Sequence, residues 1–224
     1  MKNDTPFKRF VLDYTANPTA VVAAIGMAAI ILAAIFAEIV APQNPYDLAT
    51  INILDGSLEP GSIGFDGFHY WLGSDEQGRD MYSAMIFGLR ISLLVSVIAV
   101  TTAVLIGLTA GMIAAWFGGW VESVIMRIVD IQLSFPALLV ALILLAILGK
   151  GVDKVIIALV LVQWAYFARA VRGAALVEIS KDYVMAARCA ALSPARILFR
   201  HVMPNCLPPV IVIATVQIAN AIAI

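Results

Sequence analysis

Of the 224 residues, 62% are hydrophobic and only 13% are charged, and the mean hydropathy of +0.96 excludes a water-soluble globular domain as the whole of the chain. The net charge of −1, with no basic arm interleaved by aromatics, sets nucleic-acid binding aside. Cys189 and Cys206 suit neither a paired-cysteine metal site nor a disulfide framework, and read as ordinary reduced thiols.

A helix crosses a hydrocarbon core of about 30 Å with roughly 20 mostly apolar residues, and the apolar residues here gather in runs of that size. Residues 1–19 carry Lys2, Lys8 and Arg9 ahead of the first run, Ala20–Val40. That run is too long for a signal-peptide core and lacks a small-residue cleavage site before Pro42, so a retained first span over 20–41 is expected. Residues 42–88 then read as an extramembrane loop of irregular structure. Over 42–80 it sets Asp47, Asp55, Glu59, Asp66, Asp75, Glu76 and Asp80 against Arg79 alone. The second run, Ile91–Phe117, places Ala103, Gly107, Gly111 and Ala115 on one ridge, where a neighbouring backbone can approach closely. The third, Val121–Leu148, holds Pro136, which should kink the helix and release a carbonyl in need of a partner. A short fourth run covers Val155–Ala168, a basic segment follows over 169–207, and Pro208-Pro209 opens a fifth run to Ile224.

Five candidate spans result. With the N-terminus inside, ten Lys and Arg residues fall inside and four outside, namely Arg79, Arg90, Lys150 and Lys154. A cytoplasmic N-terminus with the acidic loop outside is therefore expected.

In the basic segment, Ser180 suits a helix N-cap with Asp182 in the first turn, and Ser193-Pro194 suits a second cap with proline at the first helical position. Two short helices should meet at a corner near Leu192. Arg196 and Arg200 share one face of the second, Ile197, Leu198 and Val202 another, and Pro204 should end it. Periodicity alone leaves two readings: an amphipathic element against anionic lipid heads, or a docking element.

Ala186-Ala187, followed by His201, Pro204 and Asn205, resembles the coupling loop of ABC importer permeases, which runs Glu-Ala-Ala, three residues, Gly, and later a helix ending His-x-x-Pro-Asn. Met185 stands where that family usually has Glu, and Ala191 where it usually has Gly. Since the glycine permits positive φ, Ala191 requires a different or a strained turn. Leu72-Gly73-Ser74-Asp75-Glu76-Gln77-Gly78-Arg79-Asp80 is similar to a signature of the peptide/nickel branch, carried by Gly73, Asp75, Gly78, Arg79 and Asp80. Arg90–Leu93, Phe117–Trp120, Met126–Asp130 and Phe135-Pro136 resemble further family stretches in the same order.

The resemblance implies an all-α polytopic membrane helix bundle, with a core permease domain over 89–224 and a coupling loop over 176–207. It implies a second permease subunit, two cytoplasmic ATPase subunits holding ATP and Mg, an extracytoplasmic substrate-binding protein, and a bacterial inner membrane. This chain would bind no cofactor or metal and do no chemistry, in keeping with its lack of a phosphate-binding G-x-x-x-x-G-K-[ST] loop. Di- or oligopeptides are the implied substrate, with nickel or glutathione as alternatives. Contact with the ATPases would fall to Tyr183, Met185, Ala186, Ala187, Arg188, Ala191, Ser193, His201, Pro204 and Asn205, and a large acidic residue at Ala187 would probe it. A secondary transporter would instead need paired broken spans and a buried coupling acid.

Single residues have plainer readings. Asp130 pairs with Arg127 one turn earlier, Glu38 reaches water, and His201 packs or hydrogen-bonds at a helix end. The amides Gln163, Gln217 and Asn220 either join helices or line a wet path. The fifth run, from Pro209, has a reach of only about 24 Å. A continuation with a sixth span and a cytoplasmic C-terminus is therefore expected, with the 224-residue form inactive without it.

Overall fold

A computed structural model describes residue 12 and residues 14–223. Lys2, Lys8, Arg9 and Ile224, which entered the readings above, lie outside the described residues. The chain forms two compact units, Met1–Leu93 and Leu94–Ile224.

The first unit opens with α1 (Pro18–Ile35), started by the Asn17 side chain, which accepts the N–H groups of Thr19 and Ala20. Val22, Ile25, Met27 and Leu32 are all exposed, so α1 is apolar around its circumference, as a lipid-facing helix must be. A single turn, α2 (Ala37–Val40), follows. The stretch expected to be irregular is instead ordered by a 3-10 turn at Ile53–Asp55 and a short hairpin. In the hairpin, β1 (Ser62–Ile63) pairs Ser62 with Tyr70 and Ile63 with His69 of β2 (His69–Tyr70). The next helix, α3 (Met81–Phe117), starts ten residues ahead of the expected Ile91. The reason is local, since the Asp80 carboxylate accepts both the N–H and the hydroxyl of Ser83 and so caps the helix there. Glu38 does not merely reach water but accepts from the Arg90 guanidinium at 2.8 Å.

The second unit holds the rest of α3 and then α4 (Gly119–Leu133), α5 (Ala137–Leu148), α6 (Val152–Ile179), α7 (Asp182–Cys189), α8 (Pro194–Ile197), a π-helical turn at Leu198–Val202 and α9 (Met203–Ala223). α4, α5 and α9 all pack on α6. Pro136 breaks the third run rather than kinking it, and α4 and α5 meet at 89°. Pro136 is extended at ψ 126, and the carbonyl it releases, that of Gln132, takes the Phe135 N–H instead. α6 continues eleven residues past Ala168, so Arg169 and Arg172 belong to a helix of about 42 Å and not to a loop. The small ridge meets this helix. A Cβ on Gly107 would stand 2.7 Å from the Trp164 carbonyl oxygen and 2.8 Å from the Ala168 nitrogen, and one on Gly111 2.6 Å from the Ala168 carbonyl oxygen. Ala103 and Ala115 are buried beside them.

The corner forms where expected, with two corrections. Ser180 closes α6, its hydroxyl donating to the Val177 carbonyl, and Lys181 precedes α7 in the N-cap position. Pro204 does not end the second helix, nor does Pro208-Pro209 open another. From Pro194 to Ala223 the chain forms one 30-residue helical stretch of about 45 Å. The π-helical turn shifts the ladder just before Pro204, with the Met203 N–H bonded to the Leu198 carbonyl, and each proline removes one further bond without ending the rod. At the corner itself the Leu192 N–H reaches the Ala187 carbonyl and the Ala191 N–H the Arg188 carbonyl, a Schellman closure with Ala191 at φ +52 where glycine is usual.

Four helices, or five with the bent α4–α5 pair as one span, are long and apolar enough to cross a membrane among the described residues, and the fold is an all-α polytopic bundle. Two outcomes follow. Gly107→Ala should cost about 1–3 kcal/mol by overpacking against backbone, whereas Gly26→Ala, with nothing within 4 Å of the added atom, should be neutral or slightly stabilising. Melting in detergent checks this, and equal shifts for the two variants would contradict the close approach of α3 to α6. Ala191→Gly removes a left-handed alanine and should stabilise by about 0.5–1 kcal/mol, read as a raised melting temperature.

Candidate functional site

The residues singled out by the sequence fall in three places. The first is the turn that leads into α3. Gly78 has φ +78, and a Cβ there would collide with the Asn52 carbonyl; Gly73, at φ +80, stands likewise against Leu58. Asp75 threads the turn together, one oxygen accepting the N–H groups of Gln77 and Arg79 and the other the Arg79 guanidinium at 2.8 Å. Partial burial alone would raise the Asp75 carboxyl, but these donors outweigh it and hold its pKa below the usual carboxylate value. Asp80 is fully buried at the start of α3, and its own N–H donates to Gln43 Oε1. Tyr70 lies behind the turn, its hydroxyl 3.3 Å from both Asp55 Oδ2 and the Gly78 carbonyl. Burial first, and then the Asp55 charge, pushes its pKa up to about 12, so at neutral pH it stays a donor. These five signature residues therefore build a rigid lead-in to α3.

The second place lies between the helices that pack on α6. Gln163, just before the middle of α6, is 1% exposed, and its Nε2 points at the Gln217 carbonyl of α9 at 3.5 Å. Gln217 Oε1 accepts from Asn220 Nδ2 at 2.7 Å. The three amides thus come together, and they do so on the wall of a cavity of about 280 Å³ whose other sides come from Ala137, Leu138 and Tyr166. Joining helices and lining a space are here the same arrangement. Among the described residues that line it, none is charged.

Charges sit further along the α4–α6 seam. Asp130 pairs with Arg169 of α6, not with Arg127, and Arg172 forks onto Glu122. Past them, Gln132 accepts from the Trp164 indole at 2.8 Å and donates to the carbonyls of Leu161 and Val162. Reasoning from the sequence missed these pairings because Arg169 and Arg172 read as part of a loop. The one available hint was that Glu122 and Asp130, eight residues apart, fall on one side of a helix and need partners if that helix enters a membrane.

The third place is the corner. Val184 and Ala187 are buried and face inward, with Ile197, Val202 and Cys206 in the same core. Met185 is 65% exposed, Ala186 is exposed beside it, and Phe199 is 64% exposed. Arg188 lies over the Trp116 ring, 4.8 Å from its centroid. Tyr183, His201 and Asn205 form one knot, in which the His201 carbonyl accepts from the Tyr183 hydroxyl at 3.2 Å and from Asn205 Nδ2 at 2.8 Å, and Asn205 also donates to the Tyr183 oxygen. The carbonyl of His201, rather than its ring, makes these bonds. Ser193 sits at the start of α8 without a side-chain cap, its carbonyl taking the Ile197 N–H. Pro204 lies just inside α9. The corner and the cavity share no residue, yet the helical rod that begins at Pro194 carries both Asn205, bonded to Tyr183 of the corner, and, further along, Gln217 and Asn220 of the cavity.

Residues 107–223 match the family described as binding-protein-dependent transport system inner membrane component, and residues 5–60 match the N-terminal transmembrane domain of oligopeptide transport permease C. Among curated relatives, the dipeptide transport system permease protein DppC of Escherichia coli K12 is 39% identical over 219 residues, covering 97% of this chain and 72% of the relative. The protein of the same name from Alkalihalophilus pseudofirmus is 34% identical over 218 residues, with 97% and 69% covered. A glutathione transport system permease protein, GsiD of Escherichia coli O6:K15:H31, is 35% identical over 221 residues, with 97% and 69% covered. With its polytopic helical fold, its glycine-built lead-in to α3 and its corner in the expected order, the chain belongs to the family of binding-protein-dependent transport system inner membrane components.

Proposed function

We propose that this chain is the transmembrane permease subunit of an ATP-driven importer of di- and oligopeptides. With a second permease it forms the translocation path. Two cytoplasmic ATPase subunits, which hold ATP and Mg, dock at the Tyr183–Ser193 corner, and an extracytoplasmic binding protein delivers substrate on the side of the 42–80 segment. The N-terminus is cytoplasmic and the membrane is a bacterial inner membrane, as the distribution of Lys and Arg supports.

One observation carries this reading: the rod from Pro194 to Ala223 starts at the corner and ends at the amide cavity. A push on the corner, as ATP closes the ATPase pair, moves the wall that bears Gln217 and Asn220. No lever of a second kind is needed. The exposed Met185 and Phe199 give the corner an apolar surface for a partner to cover, and Arg188 adds charge beside it. The substrate class follows from the cavity's chemistry as well as from the relatives' names. Its wall offers amides, a phenol and aliphatic groups, which suit a peptide of zero net charge. Glutathione brings an additional carboxylate, and among the residues lining the cavity no cation meets it.

Ala187 is 8% exposed and packed in the core, so an acid there would report on folding rather than on docking. The diagnostic positions are Met185 and Ala186. Met185→Arg and Ala186→Glu should each lower peptide uptake by tenfold or more, and abolish stimulation of ATP hydrolysis by loaded binding protein, with the melting temperature of the permease unchanged. Normal uptake in both variants would sink docking at this corner.

A further inference from the structure

The cavity between α5, α6 and α9 contains a group that the bundle leaves unmatched. Gln163 Oε1 is buried and has no hydrogen-bond partner. Its orientation is set by its own neighbour, because the Gln217 carbonyl can only accept and therefore takes the Nε2 side of the amide. The unmatched oxygen thus belongs to a residue on the wall of the 280 Å³ space. A buried acceptor without a donor is unfavourable, and apolar side chains of similar shape would fill this position at no such cost.

We infer that Gln163 Oε1 is a docking acceptor for a main-chain N–H of the passing peptide. This rests on the reading that the cavity lies on the transport path. The alternative donor on a peptide, its terminal ammonium, fits poorly, because no carboxylate stands among the lining residues to replace the water that the ammonium would shed. A neutral amide N–H sheds little and gains a waiting acceptor. Every dipeptide with a secondary peptide bond has one such N–H whatever its side chains, so the site recognises the backbone and tolerates sequence. Asn220 and Gln217, already bonded to each other, line the same space. The pairing needs no charge and is compatible with release, since one neutral hydrogen bond holds a substrate without trapping it.

The test uses the importer assembled with its partner subunits in vesicles, and two probes: alanyl-alanine, and the same dipeptide methylated on its peptide nitrogen. The quantity read is the ratio of their uptake rates. Gln163→Met keeps an unbranched side chain of similar length and removes the acceptor. It should cut the preference for alanyl-alanine about tenfold by slowing that substrate alone, the worth of one hydrogen bond to a buried acceptor. Any preference exerted by the binding protein is common to the ratios of the original and the variant importer and cancels. Should Gln163→Met fail to accumulate, Gln163→Asn, which withdraws the amide by one methylene, should lower the ratio in the same direction. An unchanged ratio overturns the inference, and would fit an oxygen that holds an ordered water and nothing else. Asn220→Cys, with Cys189 and Cys206 replaced by alanine and probed with a small polar thiol reagent in the same vesicles, separates the two possible failures. Labelling that alanyl-alanine suppresses, together with an unchanged ratio, defeats the Gln163 role and spares the path. Inertness of Asn220→Cys in both resting and ATP-trapped states removes the path reading and this inference with it.

Discussion

In hydrocarbon no water stands by to satisfy a backbone N–H or C=O, so every peptide group of a span must find its partner within the chain. The rest of this structure depends on that requirement. It makes the spans helical, and it restricts interruptions to places where another group takes over the lost bond. The α4–α5 break is admissible because Phe135 covers the Gln132 carbonyl that Pro136 abandons, and because the Ser134 hydroxyl and N–H both turn back to the Asp130 carbonyl. The π-helical turn ahead of Pro204 is admissible for the same reason, with the His201 carbonyl held by Tyr183 and Asn205. These two departures from a plain helix are thus closed by neighbouring backbone and side-chain groups.

Side chains obey the same economy. Glu122 with Arg172, Asp130 with Arg169, and Gln132 with Trp164 tie α4 to α6 through paired polar groups, whereas Gln163 Oε1 stays open. The contrast gives the open oxygen its meaning. Of the buried polar atoms without a partner among the described residues, Asp80 Oδ1, Ser96 Oγ and Gln163 Oε1, the last belongs to a residue on the cavity wall, the natural place for a transient partner. At the other end of the rod, Ala191 occupies a backbone region that costs an alanine about 1–2 kcal/mol. The corner keeps its shape because Val184, Ala187, Ile197 and Val202 are packed beneath it.

Much of this was legible in the sequence, and the limits have physical causes. The period of small residues gave the Ala103–Ala115 ridge, because close helix packing requires small side chains at that spacing whichever partner they meet. The Ser193-Pro194 pair and the odd Ala191 located the corner, since a tight turn leaves a local chemical record. What failed were inferences from local rules about non-local facts. Arg127 stood one turn from Asp130 in sequence, but Arg169 reaches it across the seam. Three prolines in six residues argued for a helix end, yet the shifted ladder and packing on α6 carry the helix through. The 42–80 segment looked irregular because its order comes from Asp75, Gly78 and Tyr70 acting across intervals that no periodicity reveals.

The central claim is that the corner and the cavity wall move as one body. The most direct measurement is the distance between spin labels at positions 185 and 220, with Cys189 and Cys206 replaced by alanine, in the assembled importer at rest and trapped with ATP. A single narrow distance, the same in both states while the distance from position 220 to a label on the partner permease changes, is the predicted result. A distance between 185 and 220 that differs between the two states would show the rod bending between corner and cavity, and would contradict the account.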